Sequence, residues 1–230
     1  MELLKATLST YVIVIAAFVL ILIFKKVTKA NSRISRKMTH ILIGPIYILT
    51  WLLYPKDEPA ARYCAMSIVL LICISMLISY LAPPSWMSKF LLETMSREGK
   101  IKELMEGPFL YGVLIVALSI IYWDTTPHGI IAILILCLGD GMAEMIGMHG
   151  KHVIKAPFGK KTIEGTLSFI VFSFITCLIY EYLFFNQMWF LQTFIVVCIG
   201  CITEFVSPSK WDNLLIIVSS IITCHFFTWN

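Results

Sequence analysis

Long stretches without a charged side chain are the feature that most constrains the fold of this 230-residue chain. Seven stretches of 16 to 26 residues contain no Asp, Glu, Lys or Arg. A helix needs about 20 mainly apolar residues to cross the hydrocarbon core of a bilayer. Apolar and polar residues do not alternate strictly, as they do in a membrane β-barrel. The sequence therefore predicts an all-α polytopic membrane protein. The stretches are 6–24, 38–55, 63–88, 107–123, 165–180, 182–203 and 213–230.

The composition excludes several classes of protein. Hydrophobic residues make up 59% of the chain and charged residues 14%. Soluble domains have about 45–50% apolar and about 25% charged residues. An ordinary soluble enzyme, a disordered chain and a basic nucleic-acid-binding domain are therefore excluded, and we expect a lipid bilayer but no nucleic acid among the partners. No long linker or internal repeat interrupts the pattern, which predicts a single integral-membrane domain over residues 1–230.

Prolines in the connecting segments help to delimit the apolar segments. They predict eight transmembrane helices, near residues 7–24, 39–54, 63–82, 108–123, 128–147, 164–185, 189–206 and 212–229.

The basic residues are distributed very unequally between the two sides of these helices. Of the 18 Lys and Arg residues, 15 lie in the segments that follow the first, third, fifth and seventh helices. The positive-inside rule places those segments on the cytosolic side. Many of the acidic residues lie on or near the same face, where carboxylates can hold Mg²⁺ and cations can hold phosphate. We therefore expect the catalytic loops, with a metal–polyphosphate site, on the cytosolic face.

The acidic candidates with the clearest pattern are Asp140 and Glu144, near the end of the fifth predicted helix. Residues four apart lie on one face of a helix, so the two carboxylates point the same way. An acidic side chain inside a membrane segment is costly unless it is paired, metal-bound or hydrated, which makes the pair a functional candidate. Gly139 and Gly141 flank Asp140 and allow a close approach of backbone or ligand. The alternative is a seam of small residues for helix packing.

A basic segment at 157–165 precedes the sixth predicted helix. It contains Gly159, Lys160, Lys161, Thr162 and Glu164. A helix N-terminus offers unpaired N–H groups to a phosphate, and the two lysines add positive charge. Thr162 is expected to cap the helix or to contact a metal. The segment does not match a P-loop, and a simple topology-setting loop with a capping Thr is the alternative.

Three further segments carry polar residues on the same face. Residues 35–40 bring Arg36, Lys37 and His40 to the start of the second predicted helix, and residues 96–108 include Arg97. Asp212 and Asn213 begin the last helix, where Asp is also a common N-cap. Taken singly, each segment is also explained by topology or capping.

Together these segments resemble the CTP-dependent polyprenol kinases of the phytol kinase and dolichol kinase group. The resemblance rests on five motifs in the family's order across residues 35–214. They are Ser-Arg-Lys-x-x-His at 35–40, Ser-Arg-x-Gly…Glu-Leu-x-x-Gly-Pro at 96–108, Gly-Asp-x-x-Ala-Glu-x-x-Gly at 139–147, Gly-x-Lys-Thr-x-Glu-Gly at 159–165 and Asp-Asn-Leu at 212–214. Two of the motifs are also distantly similar to phosphatidate cytidylyltransferases, but the chain lacks the further C-terminal signature of those enzymes.

The resemblance implies transfer of the γ-phosphate of CTP to the hydroxyl of an isoprenoid alcohol such as phytol, farnesol, geranylgeraniol or a dolichol. The products would be the prenyl monophosphate and CDP. Asp140 and Glu144 are expected to bind Mg²⁺, and one of them or Glu164 to accept the hydroxyl proton, with His40 as a second base. The expected nucleotide- and phosphate-binding residues are Arg36, Lys37, Arg97, Gly139, Gly141, Gly159, Lys160, Lys161, Thr162, Asp212 and Asn213.

Two rival functions stay open at this point. A cytidylyltransferase would make a CDP-lipid and release pyrophosphate, and a transporter would place its polar site near the middle of the bilayer. The expected surroundings are the endoplasmic reticulum or another cytoplasm-facing membrane rather than the plastid. The sequence does not define the prenyl chain length or the oligomeric state.

Overall fold

A computed structural model describes residues 1–82, 85–96, 98–208 and 211–229. The chain forms two compact units, Met1–Ile121 and Tyr122–Asn230. Both are built from helices, as the apolar stretches predict, and the all-α polytopic class is confirmed.

In the described residues of the first unit there are six helices, with a short 3-10 turn at Trp51–Leu53 after the second. The helices are α1 (Glu2–Thr28), α2 (Ser32–Thr50), α3 (Ala61–Leu81), α4 (Trp86–Met95), α5 (Lys102–Glu106) and α6 (Pro108–Ile121).

Local signals explain several helix ends in this unit. α1 ends at Thr28, and its C-cap residue Lys29 has a left-handed backbone with a φ of 52°. α2 begins after Asn31, whose side chain accepts a hydrogen bond of 2.9 Å from the Ile34 amide. Such a cap satisfies one of the N–H groups that a helix start leaves without a partner. α3 and α6 pack closely, since a Cβ on Gly112 would lie 2.5 Å from the sulfur of Cys73.

The part of the second unit that the structure describes contains five α-helices, one π-helical segment and a β-hairpin. The elements are α7 (Pro127–Leu134), the π segment (Ile135–Asp140), α8 (Gly141–Gly147), β1 (Val153–Ala156), β2 (Gly159–Thr162), α9 (Ile163–Phe185), α10 (Phe190–Val206) and α11 (Asp212–Cys224).

The helix through α7, the π segment and α8 is the central element of this unit. Every residue from Ile130 to Cys137 is fully buried. α9, α10 and α11 pack around the π segment. Because a helix that is apolar all round must be buried on every side, this run of Ile, Ala and Leu places it in the middle.

All eight predicted helical segments are helical in the described part of the chain, although their bounds differ. Five runs are long and apolar enough to cross a membrane: Glu2–Thr28, Ala61–Leu81, Lys102–Ile121, Pro127–Gly147 and Ile163–Phe185. α10 and α11 are apolar but shorter, with 17 and 13 residues. α2 carries three basic residues in its first two turns. The number of eight spans therefore stays a prediction.

The structure adds elements that the hydropathy pattern did not predict. α4 and α5 lie between the third and fourth predicted helices. The basic segment before α9 is a β-hairpin and not an irregular loop. α2 begins at Ser32, seven residues before the predicted start, so the motif at 35–40 lies inside a helix.

Candidate functional site

Asp140 and Glu144 lie at the end of the central helix of the second unit. Asp140 closes the π segment with helical backbone angles, and Glu144 follows in α8. Asp140 is buried, with 7% of its surface exposed, whereas Glu144 is half-buried. π segments inside α-helices are rare and are frequently found at functional sites. The pair therefore lies on a buried helix with an irregular segment, which supports a functional role more strongly than the sequence pattern alone does.

Gly139 lets α9 approach the π segment directly beside Asp140. A Cβ at this position would lie 2.5 Å from the Ser173 hydroxyl oxygen and 2.8 Å from the Phe169 ring. Phe169 is fully buried. The close approach predicted for this glycine is therefore realised against a neighbouring helix. Gly141, on the other side of Asp140, is buried as well.

α8 and the start of α9 cross in direct backbone contact. A Cβ on Gly165 would lie 2.8 Å from the Ala143 carbonyl oxygen and 3.2 Å from the Gly147 Cα. The Ser168 hydroxyl, one turn further along α9, donates to the Met142 carbonyl at 3.2 Å. This crossing joins the motif at 139–147 to the motif at 159–165.

Thr162 caps α9, as predicted. Its backbone is extended, and its hydroxyl accepts a hydrogen bond of 3.1 Å from the Gly165 amide. The Ile163 amide donates to the His152 carbonyl at 3.0 Å. Two of the first amides of α9 are therefore already bonded within the protein. This corrects the expectation that a free helix N-terminus is available to a phosphate.

Glu164 binds the turn that precedes the hairpin. Its Oε1 accepts hydrogen bonds from the Lys151 amide at 2.9 Å, the His152 amide at 3.2 Å and the His152 ring at 2.7 Å. A Cβ on Gly150 would lie 2.8 Å from the Glu164 carboxylate, which keeps that turn free of a side chain. Through these hydrogen bonds Glu164 holds the turn at Lys151 and His152 against the start of α9.

The hairpin carries the cationic part of the site. β1 and β2 pair antiparallel, with Lys155 opposite Lys160 and Ile154 opposite Lys161, around a turn at Pro157 and Phe158. Gly159 follows this turn and has a φ of 155°, a conformation that residues with a side chain rarely adopt. Side chains alternate between the two faces of a strand. Lys155 and Lys160 therefore share one face, and both are exposed.

Lys161 occupies the other face and pairs with an acid on α10. Its ammonium group forms a salt bridge with Glu204, whose side chain is only 5% exposed. On the first face, Lys155 and Lys160 stand directly opposite each other, and opposed like charges destabilise a strand pair. An anion bound between them would therefore stabilise the hairpin. Lys155 and Glu204 are the two residues here that sequence reasoning did not select.

In the first unit the end of α4, directly before the motif at 96–108, lies against α2 at the motif at 35–40. The carbonyls at the end of α4 are bound by side chains of α1 and α2. Lys25 donates to the Glu93 carbonyl at 2.6 Å, and Thr39 donates to the Thr94 carbonyl at 3.1 Å. Cations and hydroxyl donors satisfy the carbonyls that a helix end leaves open. α4 therefore delivers the following loop to the basic start of α2.

That loop folds around the carboxylate of Glu103. The Ser96 hydroxyl donates to Glu103 at 2.5 Å, and the Glu98 amide donates to it at 3.0 Å. The Gly99 amide donates to the Ser96 hydroxyl at 2.7 Å, with a φ of 76° at Gly99. The Glu98 carboxylate, 2.5 Å from Lys100, raises the pKa of that ammonium group. Arg97, a predicted phosphate ligand, lies outside the described residues.

The remaining candidates lie within α2 and at the start of α11. Lys37 is buried in α2, and Arg36 is beside it. The His40 ring packs on Tyr111, with 4.5 Å between the ring centroids. Asp212 and Asn213 begin α11, where the Asp212 carboxylate accepts a hydrogen bond of 2.8 Å from the Asn213 amide. Trp211, and not Asp212, is the N-cap residue of this helix.

A metal site in a protein depends on the number and type of donor side chains that lie together. Within residues 1–82, 85–96, 98–208 and 211–229, no group of three or more His, Cys, Asp or Glu side chains forms a candidate metal cluster. Mg²⁺ is usually held by one or two carboxylates together with water and substrate phosphates. The donor set of Asp140 and Glu144 fits an ion of that kind and does not fit an all-protein cage.

Comparison with known proteins finds phytol kinases and a farnesol kinase among the relatives of this chain. The chain is 31% identical to a probable phytol kinase 1 of Glycine max over 162 residues, which are 69% of this chain and 52% of that protein. It is 31% identical to a probable phytol kinase 3 of the same plant over 207 residues, 84% of this chain and 62% of that protein. It is 30% identical to a farnesol kinase of Arabidopsis thaliana over 160 residues, 67% of this chain and 49% of that protein. All three are described as chloroplastic.

The chain spans about half the length of the curated relatives it matches. No family model matches it, and no solved structure does.

Proposed function

This chain belongs to the family of the phytol and farnesol kinases, and on that premise we propose that it is an integral-membrane kinase of isoprenoid alcohols. The proposed reaction takes the γ-phosphate of CTP to the hydroxyl of a prenol such as phytol or farnesol. The products of the proposed reaction are CDP and the prenyl monophosphate. The similarity to proteins of both names supports an isoprenoid alcohol as acceptor, and the choice of CTP follows the resemblance of the motifs.

One arrangement in the second unit carries the proposal. The contact between Gly165 and Ala143 brings the helix of Asp140 and Glu144 against the start of α9. β2 runs directly into α9, so the cationic hairpin is attached to that same helix start. Phosphoryl transfer depends mainly on positioning and on neutralising the charge of the phosphates. Acidic and cationic groups held on adjoining rigid elements are suited to that task.

The proposed step has a simple balance of bonds. The oxygen of the prenol attacks the γ-phosphorus, and the bond from that phosphorus to the β–γ bridging oxygen breaks. CDP takes the electron pair of the broken bond. The hydroxyl proton passes to Asp140 or Glu144. Glu164 is proposed as a positioning residue instead of the base, because its carboxylate is bound by the amides of Lys151 and His152.

The metal would be held by Asp140 and Glu144 together with oxygens of the nucleotide. When bound, Mg²⁺ supplies charge neutralisation for the transferred phosphoryl group. The burial of Asp140 limits its contact with water, and charges interact more strongly where water is excluded.

Lys160 is the proposed phosphate ligand of the hairpin, since it is exposed and stands opposite Lys155. Gly159, Gly139, Gly141 and Thr162 serve by shaping the backbone around the site. Arg36, Lys37 and Arg97 in the first unit stay proposals as phosphate ligands, His40 as a second base, and Asp212 and Asn213 as nucleotide-binding residues.

Product analysis tests this proposal. The full chain, purified into nanodiscs, is given CTP, ATP or GTP labelled at the γ-phosphate and a panel of prenols from farnesol to dolichol. We expect Mg²⁺-dependent label in a prenyl monophosphate, with CDP as the second product. Release of pyrophosphate and formation of a CDP-lipid from phosphatidic acid would contradict the proposal. Absence of transfer from every nucleotide to every prenol would contradict it as well.

For the compartment, the relatives described as chloroplastic favour a plastid membrane over the endoplasmic reticulum. Fractionation of cells that express a tagged chain, with marker proteins for both membranes, tests this assignment.

A further inference from the structure

Two adjacent lysines of the hairpin have opposite surroundings. Lys160 is exposed and shares a face with Lys155, which stands opposite it in β1. Lys161 is directed to α10 and forms a salt bridge with Glu204. Of these two side chains, that of Lys161 is 31% exposed and that of Glu204 is 5% exposed. The pair therefore combines a half-buried cation with a buried anion.

A buried carboxylate needs a counter-charge, because its transfer from water is costly and is offset only by a close and well-bonded partner. For Glu204 that partner is Lys161, which lies 43 positions earlier in the chain. The contact therefore connects β2 to α10. A second contact connects the hairpin region to α9, where Glu164 binds the amides of Lys151 and His152.

We propose that Lys161 and Glu204 are positioning residues that clamp the hairpin on α10, and that Lys161 does not bind the phosphates of the nucleotide. The clamp fixes the face of the hairpin on which Lys155 and Lys160 stand. A polyphosphate then meets two cations on one face of a hairpin whose backbone is held against α10. This inference rests on the proposed function. It replaces the expectation from sequence that both Lys160 and Lys161 bind phosphate.

Exchanging the charges of Lys161 and Glu204 distinguishes a positioning role for Lys161 from a role in binding phosphate. Four variants of the full chain are prepared in nanodiscs: Glu204→Gln, Lys161→Glu, the double variant Lys161→Glu/Glu204→Lys, and the apolar double variant Lys161→Met/Glu204→Leu. The first readout is the KM for the nucleotide. The second is the rate at which chymotrypsin cuts after Phe158, which is 66% exposed in the hairpin turn. The cut is followed by mass spectrometry and needs no catalysis.

Glu204→Gln removes the ion pair of the half-buried Lys161 ammonium group, and Lys161→Glu sets a second carboxylate against Glu204. We therefore expect each single variant to raise the KM by about tenfold and to accelerate the cut at Phe158. Both double variants should return the two readouts toward wild type, since a reversed or an apolar pair also joins the two elements. Lys160→Ala is the control: it should raise the KM and leave the rate of cutting unchanged.

The ligand alternative gives a different pattern. If Lys161 binds phosphate, the reversed pair restores resistance to chymotrypsin while the KM stays high, and the proposal is overturned. If Glu204→Gln leaves the rate of cutting at the wild-type value, there is no clamp, and the proposal is overturned on that ground. The proteolysis readout keeps its meaning when the wild-type chain transfers no phosphate, so failure of the proposed function and failure of the clamp are distinguishable.

Discussion

Gly165 and Ala143 meet without a side chain between them: a Cβ on the glycine would lie 2.8 Å from the alanine carbonyl oxygen. This contact sets the distance between the helix that bears Asp140 and Glu144 and the helix that begins at the hairpin. The candidate site of the second unit depends on it.

Gly165→Ala should therefore separate α8 from α9. The added methyl group meets backbone, which cannot rotate away, and overpacking of this kind costs about 1–3 kcal/mol. We expect a lower melting temperature in detergent and reduced turnover. Wild type is the reference, measured in the same detergent. Equal melting temperatures for Gly165→Ala and wild type would show that the crossing tolerates a side chain.

The cap at the start of α9 gives a second prediction. Thr162→Val keeps the shape of the side chain but removes the acceptor for the Gly165 amide. Loss of an N-cap hydroxyl costs about 1 kcal/mol, whereas Thr162→Ser keeps the oxygen and should lie near wild type. Thermal unfolding followed by size-exclusion chromatography measures both variants. A Ser variant as unstable as the Val variant would contradict the capping role.

The exposed lysine of β2 gives a third prediction. Lys160→Ala should raise the KM for the nucleotide by about tenfold, because a hydrogen bond to a charged group contributes about 1.5 kcal/mol or more. The KM for the prenol should change little. Lys56→Ala, which removes the charge of another exposed lysine, controls for general electrostatics. A change confined to the KM of the prenol would assign Lys160 to the lipid side of the reaction.

Several parts of this architecture were accessible from sequence because they depend on neighbouring residues. Uncharged runs specify helices in a membrane, and the spacing of Asp140 and Glu144 places them on one helical face. The capping role of Thr162 follows from a Thr directly before an apolar run.

Other parts depend on residues far apart in the chain. The different surroundings of Lys160 and Lys161 follow from Glu204, which reaches the hairpin from α10. The hairpin itself has strands of only four residues, too short to show an alternating pattern. α2 begins earlier than the sequence predicts, because the basic residues at 33–37 are too polar for a hydropathy pattern to include them in a membrane helix. The π segment that ends at Asp140 has no known sequence signal, and only the structure reveals it.

The acidic pair gives the fourth prediction, which concerns metal. If Asp140 and Glu144 hold Mg²⁺, Glu144→Gln should raise the concentration of Mg²⁺ needed for half-maximal turnover. Removal of the metal by a chelator should abolish transfer by the wild-type chain. A titration of activity against Mg²⁺ checks both. Unchanged dependence on Mg²⁺ in the Gln variant would place the metal elsewhere.

The central claim is that the buried carboxylate of Asp140 serves phosphoryl transfer to a prenol. The most direct measurement compares wild type, Asp140→Asn and the exposed control Asp57→Asn for label transferred from the γ-phosphate of CTP to farnesol or phytol. Each protein is first shown to elute as a folded species. Asp140→Asn keeps the size of the side chain and removes its charge, so we expect a loss of about a hundredfold or more in rate, with stability equal or higher. Near-normal transfer by folded Asp140→Asn would contradict the claim and return this motif to helix packing.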